Sequence, residues 1–189
     1  MIFFKQFKNS ALECKSVYSL AAIAMLLALR VVLGIFANAT LPMFGNTIKL
    51  SAAFLPIVLA GSMFGPVPAM LVGALGDVLS YIVAPTGGAF FPGFTISGLL
   101  TGLIYGAVLY KNQVTVPRVI IGWVVNMLVV ETFLAAYWLW VLHGYSADYT
   151  FYLSARFISE AVKCIPEIVL IFLVGKLASR IKLYQPKKS

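Results

Sequence analysis

The chain has 189 residues, 61% of them hydrophobic and 11% charged, with a formal net charge of +8 and a mean hydropathy of +0.98. Soluble domains carry about 25% charged residues, so this composition excludes an ordinary soluble domain and points to an integral membrane protein. The surplus Lys and Arg residues flank apolar runs, which suits a lipid bilayer as partner and argues against nucleic acid.

A spanning helix needs about 20 mostly apolar residues. Six such spans are expected in chain order, at about 17–37, 50–64, 69–84, 95–110, 119–142 and 149–177. They make one transmembrane domain over residues 1–189, with no room for a separate soluble domain. The alternating pattern of a membrane barrel is absent, so the expected fold class is an all-α integral membrane bundle.

A short basic segment with Lys5, Lys8 and Lys15 precedes the first span, and no cleavable signal peptide is expected there. Residues 38–49, with Pro42, Gly45 and Asn46, read as a turn-rich loop, and 65–68 (GPVP) as a tight turn. Pro166 predicts a kink in the long sixth span. The flanking bases concentrate before the first span, between the fourth and fifth, and after the sixth. Cytoplasmic loops carry the excess of Lys and Arg, so both termini are expected in the cytoplasm. The loops near 38–49, 85–94 and 143–148 then share the outer side and converge on one mouth.

Residues 77–97 (DVLSYIVAPTGGAFFPGFTIS) organise that mouth. Gly and Pro at this density forbid a regular helix, and Phe90, Phe91 and Phe94 with no charge between them do not make a solvated linker. The break reads as an ordered, half-buried loop lying over a ligand.

Four of the six acidic residues, Asp77, Glu131, Glu160 and Glu167, fall inside the spans, as do Arg30, Arg156 and Lys163. A charge at mid-helix facing lipid costs on the order of 2.5–3.5 kcal/mol. These seven groups are therefore expected to face inward and to pair with each other, water or a ligand. Arg156, Glu160, Lys163 and Glu167 share one helical stripe with alternating signs. The alternative role is structural ion pairing, with the deeper Lys163 and Glu167 the first candidates for it. Cys14 and Cys164 read as free thiols, His143 as a solvated loop residue, and no metal site or catalytic constellation is expected. The G-x-x-x-x-G-K-[ST] phosphate loop is absent, and no inverted repeat relates the halves.

Gly98, Gly102 and Gly106 form a G-x-x-x-G ridge that lets helices approach closely, and packing within the bundle is its expected use. Arg30 lies about 200° around the first span from Ala28. If Arg30 faces in, Ala24 and Ala28 face out, available to another protein.

Leu41-Pro-x-Phe-Gly, Ile48-Lys-Leu-Ser, Phe54-Leu-Pro, Phe64-Gly-Pro, Gly76-Asp77 and Phe90-Phe-Pro-Gly-Phe-Thr95 together resemble the folate-type substrate-binding subunit of energy-coupling factor transporters. The resemblance covers nearly the whole chain and is weakest after Leu139. It implies a non-catalytic subunit of the cell membrane that captures folate or a reduced folate from outside. It also implies docking on a membrane coupling subunit that carries two cytoplasmic ATPases. ATP and magnesium would then be used by the partners, with no cofactor on this chain, and Ala24 and Ala28 match the family's docking motif.

For folate, a carboxylate would accept the paired donors of the pterin edge, with Asp77 the first candidate and Glu131 or Glu160 the second. Phe90, Phe91, Phe94, Tyr81, Tyr137 and Trp138 are the candidate aromatic walls. Arg30, Lys49 and Arg156 are candidates for the glutamate carboxylates. Phe94 and Thr95, together with the loop around Phe44 and Gly45, would act as lids, and Ser97 is a further candidate substrate contact. Other vitamins (riboflavin, pantothenate, thiamine) on the same architecture remain open, as does an intramembrane enzyme or quinone-binding subunit.

Overall fold

The computed structural model describes residues 2–43, 46–85, 90–112, 114–145 and 148–180, with side chains except at 2–5, 38–43, 46–50 and 180. Phe44 and Gly45 lie outside the described residues, and so does the side chain of Lys49.

Helix α1 (Ile2–Glu13) precedes the first apolar helix, α2 (Val17–Phe36). Strands β1 (Asn38–Met43) and β2 (Asn46–Ser51) follow, then α3 (Leu55–Phe64), α4 (Pro66–Val83) and α5 (Pro92–Leu109). Helix α6 (Val116–Asn126) passes into a π-helical stretch (Met127–Leu134) and on into α7 (Ala135–Leu142) without a break, and α8 (Tyr149–Arg180) ends the described chain. Among the described residues, four helical segments are long and apolar enough to cross a membrane: Val17–Phe36, Pro66–Val83, Pro92–Leu109 and Val116–Leu142. Helix α3 has 10 residues, about 15 Å of helix, and is short for a crossing. Helix α8 has 32 residues and runs on through Pro166, but its charged stripe sets it apart from the apolar four.

Two features depart from the expected arrangement. Residues 38–51 are not a turn-rich loop but an antiparallel hairpin, paired from Asn38↔Ser51 to Met43↔Asn46. The alternation of polar and apolar residues along Thr47-Ile48-Lys49-Leu50-Ser51 is the strand signal. Ala52 N–H donates to Ala37 C=O at 3.2 Å and closes the hairpin's neck. The second expected span accordingly starts at Leu55 rather than near residue 50.

The other departure is α1. Ser10 Oγ donates to Phe64 C=O at 2.8 Å and accepts from Val67 N–H at 3.0 Å. One fully buried hydroxyl thus satisfies both sides of the α3–α4 turn. Gly65 at the centre of the turn has φ +92°, and a Cβ there would sit 2.7 Å from Ser10 Oγ. Only glycine fits both the backbone and the space.

The seam between α4 and α5 is set by small residues. A Cβ on Gly98 would lie 2.6 Å from Gly73 O, and Cβ atoms on Gly102 and Gly106 would collide with Ala69 and Pro66. The glycine ridge is therefore spent inside the bundle, as expected from its spacing. These contacts also fix the register: Gly73 lies level with Gly98, Ala69 with Gly102 and Pro66 with Gly106. Beyond the seam, Val58, Tyr105, Leu109, Val119, Trp123, Met127 and Ile171 pack into an apolar core. This core plugs the end of the bundle away from the hairpin.

Candidate functional site

Between that plug and the hairpin lies a partly open cavity of about 320 Å³, within the ordinary range of small-molecule sites. Antiparallel packing sorts its lining into levels. The end near the hairpin carries Ser51, Asp77, Phe94, Ser97, Ala135 and Arg156. Arg30, Gly98, Thr101, Val130 and Glu131 lie in the middle. The inner end, against the plug, carries Phe54, Ile57, Tyr105, Asn126 and Glu167, with Lys163 just above.

Arg30 reaches in from α2. Its guanidinium donates to Gly73 C=O, from Nε at 3.4 Å and from Nη2 at 3.2 Å. The glycine at 76 makes room for it, since a Cβ there would collide with the arginine side chain. Arg30 shares the cavity with the carboxylates of Asp77 and Glu131. With Arg30 inward, Ala24 and Ala28 are exposed on the opposite side of α2.

Asp77 accepts a hydrogen bond from Thr95 Oγ1 at 2.7 Å, tying α4 to the first turn of α5. One carboxylate oxygen is thereby held. Glu131 sits within the π-helical stretch. The extra residue of a π turn shifts the register of a helix face, and here Asn126, Val130, Glu131 and Ala135 all reach the cavity.

Helix α8 supplies Arg156, Lys163 and Glu167 to the lining, as its stripe spacing implies. Lys163 Nζ is salt-bridged to Glu160 and lies 3.9 Å from Glu167. Glu160, 1% exposed, stands behind Lys163 rather than on the cavity wall. Trp123 Nε1 donates to Glu167 Oε2 at 2.8 Å and fixes that carboxylate. Lys163 and Glu167, expected to be the most purely structural of the charges, are thus paired and also face the cavity.

The expected aromatic residues divide. Phe94 lines the cavity. Phe91 packs on Phe94 and Trp138 at centroid distances of 5.7 and 5.6 Å, and Trp138 Nε1 donates to Ser97 Oγ at 3.1 Å. These contacts brace the rim between α5 and α7. Tyr81 packs against Phe90 at 5.3 Å, and Tyr137 against Trp138 at 5.2 Å. Tyr81, Phe90 and Tyr137 make a more peripheral aromatic layer that does not reach the cavity wall.

The residue readings above did not single out Thr101, Tyr105 and Asn126, which are nevertheless buried at the wall. Thr101 and Tyr105 follow from the α5 register once Gly98 and Gly102 are fixed on the neighbouring face. The signal for Asn126 is a lone amide inside the apolar run of residues 119–130.

Residues 18–177 match the family described as ECF transporter, substrate-specific component. The chain is 30% identical to the folate transporter FolT of Clostridium novyi (strain NT) over 169 residues, 89% of this chain and 94% of that one. It is 31% identical to the folate transporter FolT of Leuconostoc mesenteroides over 134 residues, 70% of this chain and 69% of that one. A crystal structure of FolT bound with folic acid superposes with a TM-score of 0.73 at 28% identity, covering 85% of this chain and 92% of that one. The structure of the S component of a bacterial ECF transporter shares the fold at a TM-score of 0.64 and 24% identity, covering 86% and 96%. The four apolar segments, the charged cavity they form together with α3 and α8, and these matches place the chain in the membrane, as a non-catalytic, substrate-binding member of the family of ECF transporter substrate-specific components.

Proposed function

We propose that this chain captures folate from the outer side of the cell membrane and delivers it to the cytoplasm by docking on an ATP-driven coupling module. The observation that carries this reading is the charge order along the cavity. Two carboxylates, Glu160 and Glu167, flank one ammonium, Lys163, at and behind the inner end, and a third, Glu131, faces the middle. Arg156 stands toward the mouth, about 16 Å along α8 from Glu167, and Arg30 lies between. Folate has the matching polarity: a pterin ring that donates paired hydrogen bonds to a carboxylate, and a glutamate tail whose two carboxylates need cations. Its resemblance to two folate transporters and to a folic acid-bound structure supports the same substrate.

Two carboxylates compete for the pterin edge. Asp77 lies near the mouth and is engaged by Thr95. Glu131 faces the middle of the cavity, on the acidic side. The charge order favours Glu131, with the ring inward and the tail toward Arg30 and Arg156. Asp77 then balances Arg30, and Phe94 and Thr95 close over the bound molecule with Phe91, Trp138 and Ser97 behind them.

In this reading the single domain crosses the membrane six times, with α3 as the short crossing and α8 as the charged one. Both termini are cytoplasmic, as the flanking bases require, and the hairpin lies outside. The exposed Ala24 and Ala28 face of α2 meets a membrane coupling subunit that carries two cytoplasmic ATPases. ATP and magnesium act there, and this chain holds no cofactor of its own. The test is mass spectrometry of small molecules that co-purify with the chain in detergent, followed by calorimetric titration with folic acid. A bound folate and saturable binding are expected. A flavin, a quinone or no folate binding would overturn the reading.

A further inference from the structure

Asn126 is 7% exposed and lines the inner end of the cavity, and its Oδ1 finds no hydrogen bond among the described residues. A buried carbonyl left without a donor forfeits the hydrogen bonds it makes in water, and a buried amide in an apolar helix is normally paired. The neighbouring polar groups do not relieve it. Trp123 Nε1 is engaged by Glu167. Lys163 is held between Glu160 and Glu167. Among the described residues with a buried polar atom that finds no hydrogen bond, such as Ser19 and Thr132, it is Asn126 that belongs to the cavity wall.

We propose that Asn126 is a substrate-reading residue, whose side-chain carbonyl accepts a hydrogen bond from a ring N–H or amino group of the heteroaromatic head at the inner end of the cavity. This rests on the folate reading and deepens it. A tail carboxylate is disfavoured at this end, since Glu167 lines it, the one nearby ammonium, Lys163, is already shared by Glu160 and Glu167, and Glu131 lies above. A neutral ring carrying N–H donors satisfies the orphaned carbonyl and adds no charge to an already acidic wall. Asn126 therefore selects for a donor-bearing ring, while Arg30 and Arg156 select for the dicarboxylate.

The test is calorimetric titration of the full chain in detergent, wild type and Asn126→Leu, with three probes: folic acid, pterin-6-carboxylic acid as the head, and p-aminobenzoylglutamate as the tail. Thermal unfolding of the empty protein is measured in parallel, and Asn126→Ala serves should the leucine variant not fold. The expected result is at least a tenfold loss of affinity for folic acid and for the head fragment, little change for the tail fragment, and an empty protein no less stable than wild type. Unchanged folic acid affinity overturns the inference, as does an equal loss for head and tail. A loss seen only together with a lowered unfolding temperature also overturns it, because that assigns Asn126 to structure. If the wild-type chain itself does not bind folic acid, the folate reading fails first and the inference falls with it. Binding by the wild type with no effect of the variant removes Asn126 alone.

Discussion

The α4–α5 seam and the α6–α8 wall bound the same cavity and are built by opposite means. The seam is closed by absence: Gly73, Gly98, Gly102 and Gly106 bring two backbones together with no side chain between them. The wall is held open by presence: Glu131, Lys163, Glu167 and Arg156 occupy a space that apolar side chains would fill. A membrane helix pair gains little from apolar burial, because lipid is as apolar as leucine, so close packing and buried polar contacts must hold it. The seam uses the first and the wall the second. A substrate site belongs where polar groups keep two elements apart, which is why the chemistry lies on the α8 side while α4 and α5 act as a rigid back plate.

The largest expected effect tests the wall. Lys163→Met leaves Glu160 and Glu167 beside each other without their shared cation. Removing one partner of a buried ion pair costs about 3–5 kcal/mol, so the variant should unfold at a markedly lower temperature in detergent. The double variant Lys163→Met with Glu160→Gln should recover much of that loss. If the single variant is as stable as wild type, the pair is not what holds the wall. The seam comes next. Gly102→Val places a branched side chain against the backbone of Ala69 and Met70. Overpacking of this kind costs about 1–3 kcal/mol and occasionally more, and the seam cannot yield without moving both helices. Size-exclusion chromatography should then report less monodisperse protein, with folic acid affinity preserved in the folded fraction. Lost affinity in well-folded protein would mean that the seam does more than support.

A smaller effect separates the two ends of the cavity. Arg30→Ala should weaken folic acid at least tenfold, about 1.4 kcal/mol, and the head fragment less. Equal losses in parallel titrations would assign Arg30 to the bundle through its bonds to Gly73 rather than to the tail.

Much of this contrast is legible in the sequence, and the reasons differ by region. The glycine ridge and the α8 stripe are periodic, and periodicity fixes a face whatever the neighbours do. The inward turn of Arg30 follows from the cost of a charge in lipid. The π-helical stretch is different. Nothing in MLVVETFL distinguishes a π turn from an α turn, because the added residue is set by packing against α5 and α8. Regular α geometry carried through residues 127–134 therefore misplaces the face on which Asn126 and Glu131 meet. Asn126 was visible as a polar residue among apolar ones, but only its unpaired carbonyl turns that oddity into a function. The hairpin is marked by alternation over a few residues, a signal easily read as a polar loop.

The smallest effect on binding comes from the end of the molecule remote from the cavity. Helix α1 is held by Ser10, which bridges Phe64 C=O and Val67 N–H across the α3–α4 turn. The turn also starts α4, the helix that carries Asp77 and the Gly73 carbonyl against which Arg30 rests. Ser10→Ala removes both hydrogen bonds while keeping the volume that Gly65 leaves open. A buried hydrogen bond contributes about 0.5–1.5 kcal/mol net, so a drop of about 1–2 kcal/mol in stability is expected. Folic acid affinity should not change, because the register of α4 against α5 is set independently by the glycine contacts. A fall in affinity with the stability loss would mean that α1 positions α4, and that the back plate is rigid only while α1 is docked.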